Sequence, residues 1–174
     1  EDATVGHNRY SEKATISAFD SEVVLENVSI LDAVQPFYSE FGDITITNCS
    51  FKSELTGDLI NIKYATSAIV VGCDLEGNEA VDMDAIDFDG LNNGIIRNNS
   101  IYNFLGENSD GIDLGEGASD VLIENNQINN CTDKGISIGQ NSDAIIHGNV
   151  IARCALGIGI KEVHLCRKAK TDET

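Results

Sequence analysis

The sequence predicts an all-β parallel β-helix, a solenoid of about six coils. Three observations predict it: a repeated strand-and-corner unit, apolar positions recurring every second residue, and no helical stripe of any length. The stretch 110–149 shows the repeat most plainly. DGIDLG from Asp110 is echoed by DKGISIG from Asp133, and DVLIENNQI from Asp120 by DAIIHGNVI from Asp143.

Earlier copies begin at Glu22 (EVVLENVSI), Asp43 (DITITNCSF), Ser67 (SAIVVGCDL) and Asn93 (NGIIRNNSI). A second strand follows late in each unit: DLINIK from Asp58, DAIDFD from Asp84, DGIDLG from Asp110, KGISIG from Lys134 and LGIGIK from Leu156. The spacing of roughly 20–30 residues suits a solenoid repeat and leaves no room for a strand plus a crossover helix. The economical structure is a coil of strands, each coil pairing in parallel with the next at ~4.8 Å, with the core inside.

Stacked coils place equivalent residues above one another, so the expectation has columns. The inward columns read Val23, Ile44, Ala68, Gly94, Val121, Ala144, and then Leu25, Ile46, Val70, Ile96, Ile123, Ile146. The closing column reads Ile30, Phe51, Leu75, Ile101, Ile128, Ile151. The corner column reads Asn27, Asn48, Gly72, Asn98, Asn125, Gly148, the residue types that tolerate a left-handed backbone. Asparagines there are expected to pass hydrogen bonds from coil to coil. Sequons at Asn27, Asn48, Asn98 and Asn130 read as buried by-products of that ladder. Pro36 with Phe37, Tyr38 and Phe41 reads as a loop departure.

The phrases DGIDL, DVLIENN and DKGISIG resemble the right-handed parallel β-helix superfamily over about residues 22–161. That superfamily includes pectate-lyase-like enzymes, alginate and chondroitin lyases, mannuronan epimerases, and non-catalytic β-helix modules of bacterial surface proteins. The motifs are closest to the last group. The resemblance implies a right-handed coil and an extracellular or cell-surface location. Its shared residues are structural, so it implies little about activity.

Three segments are expected: residues 1–21 as an N-terminal cap or incomplete coil containing ATISAF, 22–162 as the β-helix, and 163–174 as a C-terminal tail or cap. The start at Glu1 reads as that of a mature or excised fragment. The tail carries Cys166 and a basic cluster of Arg167, Lys168 and Lys170. Of the other cysteines, Cys49 and Cys73 share one column, and Cys131 and Cys154 share another with Phe104. Stacked free thiols are expected for the second pair. No spacing suggests zinc.

The net charge is −18. It disfavours nucleic acid and anionic membranes as partners, and an anionic polysaccharide unless a cation bridges. No apolar run approaches the ~20 residues of a membrane span.

The acid-rich middle is the main functional signal. It holds Asp82, Asp84, Asp87, Asp89, Glu107, Asp110, Asp113 and Glu116, with Arg97 the one offsetting cation. Alternation in AIDFD buries Ile86 and Phe88 and turns Asp87 and Asp89 outward. The same logic turns Asp113 outward, above Asp87, and pairs Asp84 with Asp110. Like charges stacked this way repel, and a bound cation or a raised pKa relieves them. Oxygen-only ligands suit calcium, so Asp84, Asp87, Asp110 and Asp113 are the candidate metal ligands. The neighbours Ala85, Gly111, Gly115, Gly135, Ser137, Gly139, Gly157 and Gly159 are expected to leave a flat, open floor. A polysaccharide lying there would meet Asp89 and Asp110, with Tyr64 and Tyr102 as aromatic contacts. A plain solvated acidic surface accounts for the same residues.

Resemblance to the lyases implies carboxylate-bound calcium acidifying a uronate, with a lysine or arginine as base. Lys63, in the column of Asp89, and Lys134, in the column of Asp110, are the candidates, and a Lys134–Asp110 salt bridge is the simpler reading of the second. Paired acids would also suit a glycosidase. No GxSxG motif, Cys/His nucleophile or phosphate loop appears. On the first strand an outward column reads Val24, Thr45, Ile69, Ile95, Leu122, Ile145. Such an apolar stripe calls for a cover: the chain's own ends, a neighbouring domain, or self-association.

The functional expectation is an extracellular, carbohydrate-associated module binding a polysaccharide along an acidic face, with calcium as a candidate stabilising ion. The alternatives are a lyase or epimerase acting on polyuronates, and a structural rod self-associating through the stripe.

Overall fold

A computed structural model of the chain describes residues 14–139 and 141–161. Strand β1 (Ala14–Phe19) precedes six coils of three strands each. The first two coils are β2 (Glu22–Glu26), β3 (Ser29–Ala33), β4 (Gln35–Glu40), and β5 (Asp43–Thr47), β6 (Ser50–Ser53), β7 (Ile60–Lys63). The next two are β8 (Ser67–Val71), β9 (Asp74–Glu76), β10 (Ile86–Asp89), and β11 (Asn92–Arg97), β12 (Ser100–Phe104), β13 (Ile112–Gly115). The last two are β14 (Ser119–Glu124), β15 (Gln127–Cys131), β16 (Lys134–Ile138), and β17 (Ala144–His147), β18 (Val150–Ala152), β19 (Leu156–Ile160).

Equivalent strands stack into three parallel sheets. Sheet A runs β1-β4-β7-β10-β13-β16-β19, sheet B β2-β5-β8-β11-β14-β17, and sheet C β3-β6-β9-β12-β15-β18. The registers are those of the expected columns: Ile96 lies on Ile123, Ile101 on Ile128, and Asp87 on Asp113. Ile46, Val70, Ile96 and Ile123 are fully buried, as are Phe51, Leu75 and Ile101. Sheet A closes the core with a column of Phe37, Ile60, Ile86, Ile112 and Ile136.

Each corner column residue from Asn27 to Gly148 has a positive φ, between 52° and 69°. Gly72 and Gly148 break the asparagine column because a Cβ there would strike the side chains of Asn48 and Asn125. The ladder of side-chain hydrogen bonds lies one residue further on than expected. Asn126 Oδ1 accepts the backbone N–H of Asn99 (2.9 Å) and its Nδ2–H (3.0 Å). Asn126 Nδ2 in turn donates to Asn149 Oδ1 (2.9 Å) and to the Ile96 carbonyl (2.9 Å). At these positions the side chain points inward and satisfies main-chain groups left unpaired where sheet B turns into sheet C. The corner asparagines Asn27, Asn48 and Asn98 point outward and are exposed, so their sequons are not buried.

The PFY stretch also corrects an expectation. It is no loop but part of β4, because Phe37 supplies the inward side chain that pairs with Ile60. Pro36 is tolerated near the start of the strand, and Phe41 takes the left-handed corner position at φ 61°. ATISAF forms β1, which pairs with β4 through Ile16 and Phe37. Residues 1–13 and 162–174, with the expected caps, Cys166 and the basic cluster, lie outside the described residues. Cys49, Cys73, Cys131 and Cys154 are free thiols. Burial, with Cys49 beside it, pushes the Cys73 thiol up to about 11.

Replacing Asn126 by Ala removes the acceptor of Asn99 N–H and the donor to the Ile96 carbonyl inside the rod. At ~1–3 kcal/mol for each buried group left unpaired, we expect a loss of about 3–5 kcal/mol in chemical denaturation. A loss below ~1 kcal/mol would show that the ladder adds nothing to the apolar stack.

Candidate functional site

Three outward positions of sheet A carry the acids. The first column is Asp58, Asp84, Asp110 and then Lys134. The second is Asn61, Asp87, Asp113 and Ser137, and the third Lys63, Asp89 and Gly115. Where the coil enters sheet A, the first column has a main-chain task. Asp84 N–H donates to Asp58 Oδ1 (2.9 Å), Asp110 N–H to Asp84 Oδ1 (2.6 Å), and Lys134 N–H to Asp110 Oδ1 (2.6 Å). Each carboxylate therefore caps the next coil. Asp58 and Asn61 are recess residues that sequence reasoning passed over. Their signal was present in the alignment of DLINIK with DAIDFD and DGIDLG.

The floor is not flat. Asn61, Asp89, Asp110, Lys134 and Ser137 are buried, and the acids surround a recess of about 270 Å³. Its lining comprises Gly57, Asp58, Asn61, Lys63, Asp82, Asp84, Asp87, Asp89, Asp113 and Glu116. Seven of these are carboxylates and one is a cation. Three of the small residues expected on the floor point inward instead. Ala85 is fully buried in the core, and a side chain on Gly111 or Gly135 would strike Ile128 or Ile151 there.

The structure brings Asp84, Asp87, Asp89, Asp113 and Lys63 together at the recess. Lys63 Nζ pairs with Asp89. Asp110 lies beyond the lining, where its Oδ2 accepts from Lys134 Nζ at 3.4 Å, and Lys134 also pairs with Asp133. Lys134 folds across Gly159 of the next coil. Tyr64 stands at the lip of the recess, its hydroxyl donating to Glu116 and its ring stacked on Phe41 with centroids 5.8 Å apart. Tyr102 is elsewhere, on sheet C beside Asp74.

Asn61 is the pivot of the recess. Its Nδ2 donates to Asp58 Oδ2 (2.8 Å) and to Asp87 Oδ2 (2.7 Å). Its Oδ1 is buried and has no partner among the described residues, and the same holds for Asp113 Oδ1. Burial raises the Asp84 carboxyl well above the usual carboxylate range, and the charge of Asp58 adds to it. Asp87 is raised likewise by burial and by Asp58 and Asp89. Burial alone would lower the Lys63 ammonium, but its hydrogen bond to Asp89 and the charge of Asp87 hold it above its ordinary value. Lys134 is held up in the same way by Asp133 and Asp110. Both candidate bases are thus engaged with carboxylates.

The donor set is oxygen only, carboxylate-rich, and includes an orphaned amide carbonyl, so it fits a hard divalent cation such as calcium. Among the described residues no three acidic, histidine or cysteine groups already converge as a metal site, so such an ion would have to draw the carboxylates inward. On sheet B the stripe Val24, Thr45, Ile69, Ile95, Leu122, Ile145 stacks in register as expected. Its ends Val24 and Ile145 are 63% and 70% exposed, so no described residue covers them. Among the described residues no helix is long and apolar enough to cross a membrane.

Three parallel sheets wound around one core, with an acid-lined recess on one of them, define a parallel β-solenoid with one acidic face. The family model described as a right-handed β-helix region matches residues 37–169, and the chain belongs to that family. No curated protein and no solved structure matches the chain.

The raised carboxylates give stability a pH signature. A carboxyl whose pKa is higher in the folded chain opposes folding once it is ionised. Stability therefore rises as pH falls through the folded value, and levels off in the ordinary carboxylate range near ~4, where the unfolded chain takes up the same protons. Without divalent cations we expect the melting temperature to rise between pH 7 and 5. Asp87→Asn should melt higher than the wild type at pH 7 and show a flatter profile. Parallel profiles for the two proteins would remove Asp87 from the account.

Proposed function

We propose that this β-helix is an extracellular, carbohydrate-associated module that binds a polysaccharide along the acidic face of sheet A, with calcium as the stabilising ion of the recess. The observation that carries the reading is Asn61. Both of its N–H groups are committed to carboxylates, and its buried carbonyl oxygen, among seven acids, has no hydrogen-bond partner among the described residues. A buried acceptor of this kind costs ~1–3 kcal/mol unless something satisfies it. A cation on Asn61, Asp84, Asp87 and Asp113 would satisfy it and offset the stacked charges together. It would also bridge to the hydroxyls or carboxylates of a glycan, which the net charge of −18 otherwise repels.

The polyuronate lyase or epimerase is the second reading. It has the acids, and among the described residues its two candidate bases, Lys63 and Lys134, are both paired with carboxylates. The reading of a rod that self-associates through the sheet B stripe rests on the exposure of Val24 and Ile145.

Calcium at millimolar concentration should raise the melting temperature by several degrees, and Asp84→Asn/Asp87→Asn should abolish the shift. An unchanged melting temperature would sink the calcium part of the proposal. In a polysaccharide panel with and without calcium, we expect retention of at least one polymer on the wild type and none on the double variant. Absorbance of unsaturated uronates appearing on incubation with alginate or pectate would instead establish the lyase.

A further inference from the structure

We infer that the recess on sheet A takes protonated amines directly, so that the glycan it receives without a bridging metal is one bearing free amino groups, a de-N-acetylated hexosamine polymer. The inference rests on the reading above that a polysaccharide lies on this face, and it names the chemistry of that polysaccharide.

The lining is almost wholly acceptor. Seven carboxylates and Asn61 line it beside one ammonium, that of Lys63. Asn61 is only 6% exposed, and Asn61 Oδ1 and Asp113 Oδ1 are buried with no donor among the described residues. What the recess lacks is hydrogen-bond donors that carry positive charge. An ammonium carries three, and its hydrogen bonds tolerate acceptors spaced by the ~4.8 Å of successive coils. A metal needs three or more ligands drawn together, an arrangement that the His, Cys, Asp and Glu side chains of the described residues do not already make.

The same face already shows the interaction. Lys63 places a primary ammonium on Asp89, and Lys134 places another between Asp110 and Asp133. These two lysines neutralise the edges of the acidic field. Asp58, Asp84, Asp87 and Asp113 between them have no lysine or arginine of their own in the ion pairs of the described residues. The half-exposed rings of Tyr64 and Phe41 stand at the lip, tied to the recess through Glu116. They offer apolar surface to the C–H groups of a pyranose ring, which favours an amino sugar over a simple polyamine.

Calorimetric titration of the full chain at pH 6, without calcium, tests this with four-to-six-unit glucosamine oligomers. The deacetylated oligomers should bind at least ~10-fold more tightly than their N-acetylated counterparts, and calcium should compete. Asp84→Asn/Asp87→Asn should weaken binding at least ~10-fold while retaining its fold, since asparagine keeps the Oδ1 that caps the next coil. Asp120→Asn/Asp143→Asn, at the entrance to sheet B, should stay within about twofold of the wild type. Equal binding of acetylated oligomers, or an equal loss in the sheet B variant, would overturn the inference by showing that amines are not selected or that the attraction is diffuse. Tighter binding of a lysine peptide of equal charge would overturn its glycan part. Alginate bound only with calcium, beside inert glucosamine oligomers, would end the amine inference and leave the polysaccharide reading standing. Monomeric glucosamine bound in the recess, with no polymer retained, would do the reverse.

Discussion

The structure depends on parallel stacking of coil on coil in register. Each strand pairs only with its equivalents above and below, so each side chain has its own column as a neighbour. For apolar residues the arrangement is self-consistent, as in the column from Leu25 to Ile146. For charged residues it is a constraint. Two unit charges ~4.8 Å apart at an effective dielectric of ~20 repel by about 3 kcal/mol. The Asp87–Asp113 pair and the column Asp58, Asp84, Asp110 must each be accommodated against that figure.

The chain does this in three ways. Main-chain N–H groups of Asp84, Asp110 and Lys134 bind the Oδ1 atoms of the first column, so those aspartates also serve as caps between coils. Lysines take Asp89 and Asp110. Asn61 binds Asp58 and Asp87 at once, holding two carboxylates beside one amide. The capping role means that an aspartate in the first column is not, by being acidic, a functional residue. The second column has no such role. Asp87 and Asp113 cap nothing, and they are the residues whose presence the fold leaves unexplained.

The columns were legible in the sequence because a period of two and a repeat of fixed form specify register directly. That is why Ile96 over Ile123 and Asp87 over Asp113 were read correctly, and why Lys134 was placed on Asp110. What went wrong lay at the corners, where alternation fails. Ala85, Gly111 and Gly135 sit where the coil turns into sheet A and face inward together with the isoleucine that follows each, so two adjacent residues share one face and strict alternation misplaces the first. The ladder was assigned to Asn98 and Asn125 rather than to Asn99 and Asn126. In an Asn-Asn pair one residue takes the left-handed corner and the other turns its amide inside, and composition does not distinguish them. Phe37 was misread because a proline beside it outweighed its place in the inward column. Depth was also illegible. The repeat gives the order of Asp84, Asp87 and Asp113 along the face, but not that they enclose a recess with Asp58 and Asn61.

The first column carries a final step. It reads Asp58, Asp84, Asp110 and then changes sign at Lys134, whose chain crosses Gly159 and occupies the face beyond. At the other boundary Lys63 closes the third column over Asp89. A purely solvating acidic surface has no need of an edge, because like charges at a surface are best spread out. Here the acids of the recess come from three successive coils, with Lys63 and Lys134 at opposite edges of the column set, and the amide at the centre has an oxygen with no donor among the described residues. Bounded charge with an unmet acceptor is the pattern of a site for something positive. Stacked columns hold their oxygens one coil apart unless the sheet gives way, a spacing that the hydrogen bonds of an ammonium tolerate and that a metal ion would have to close.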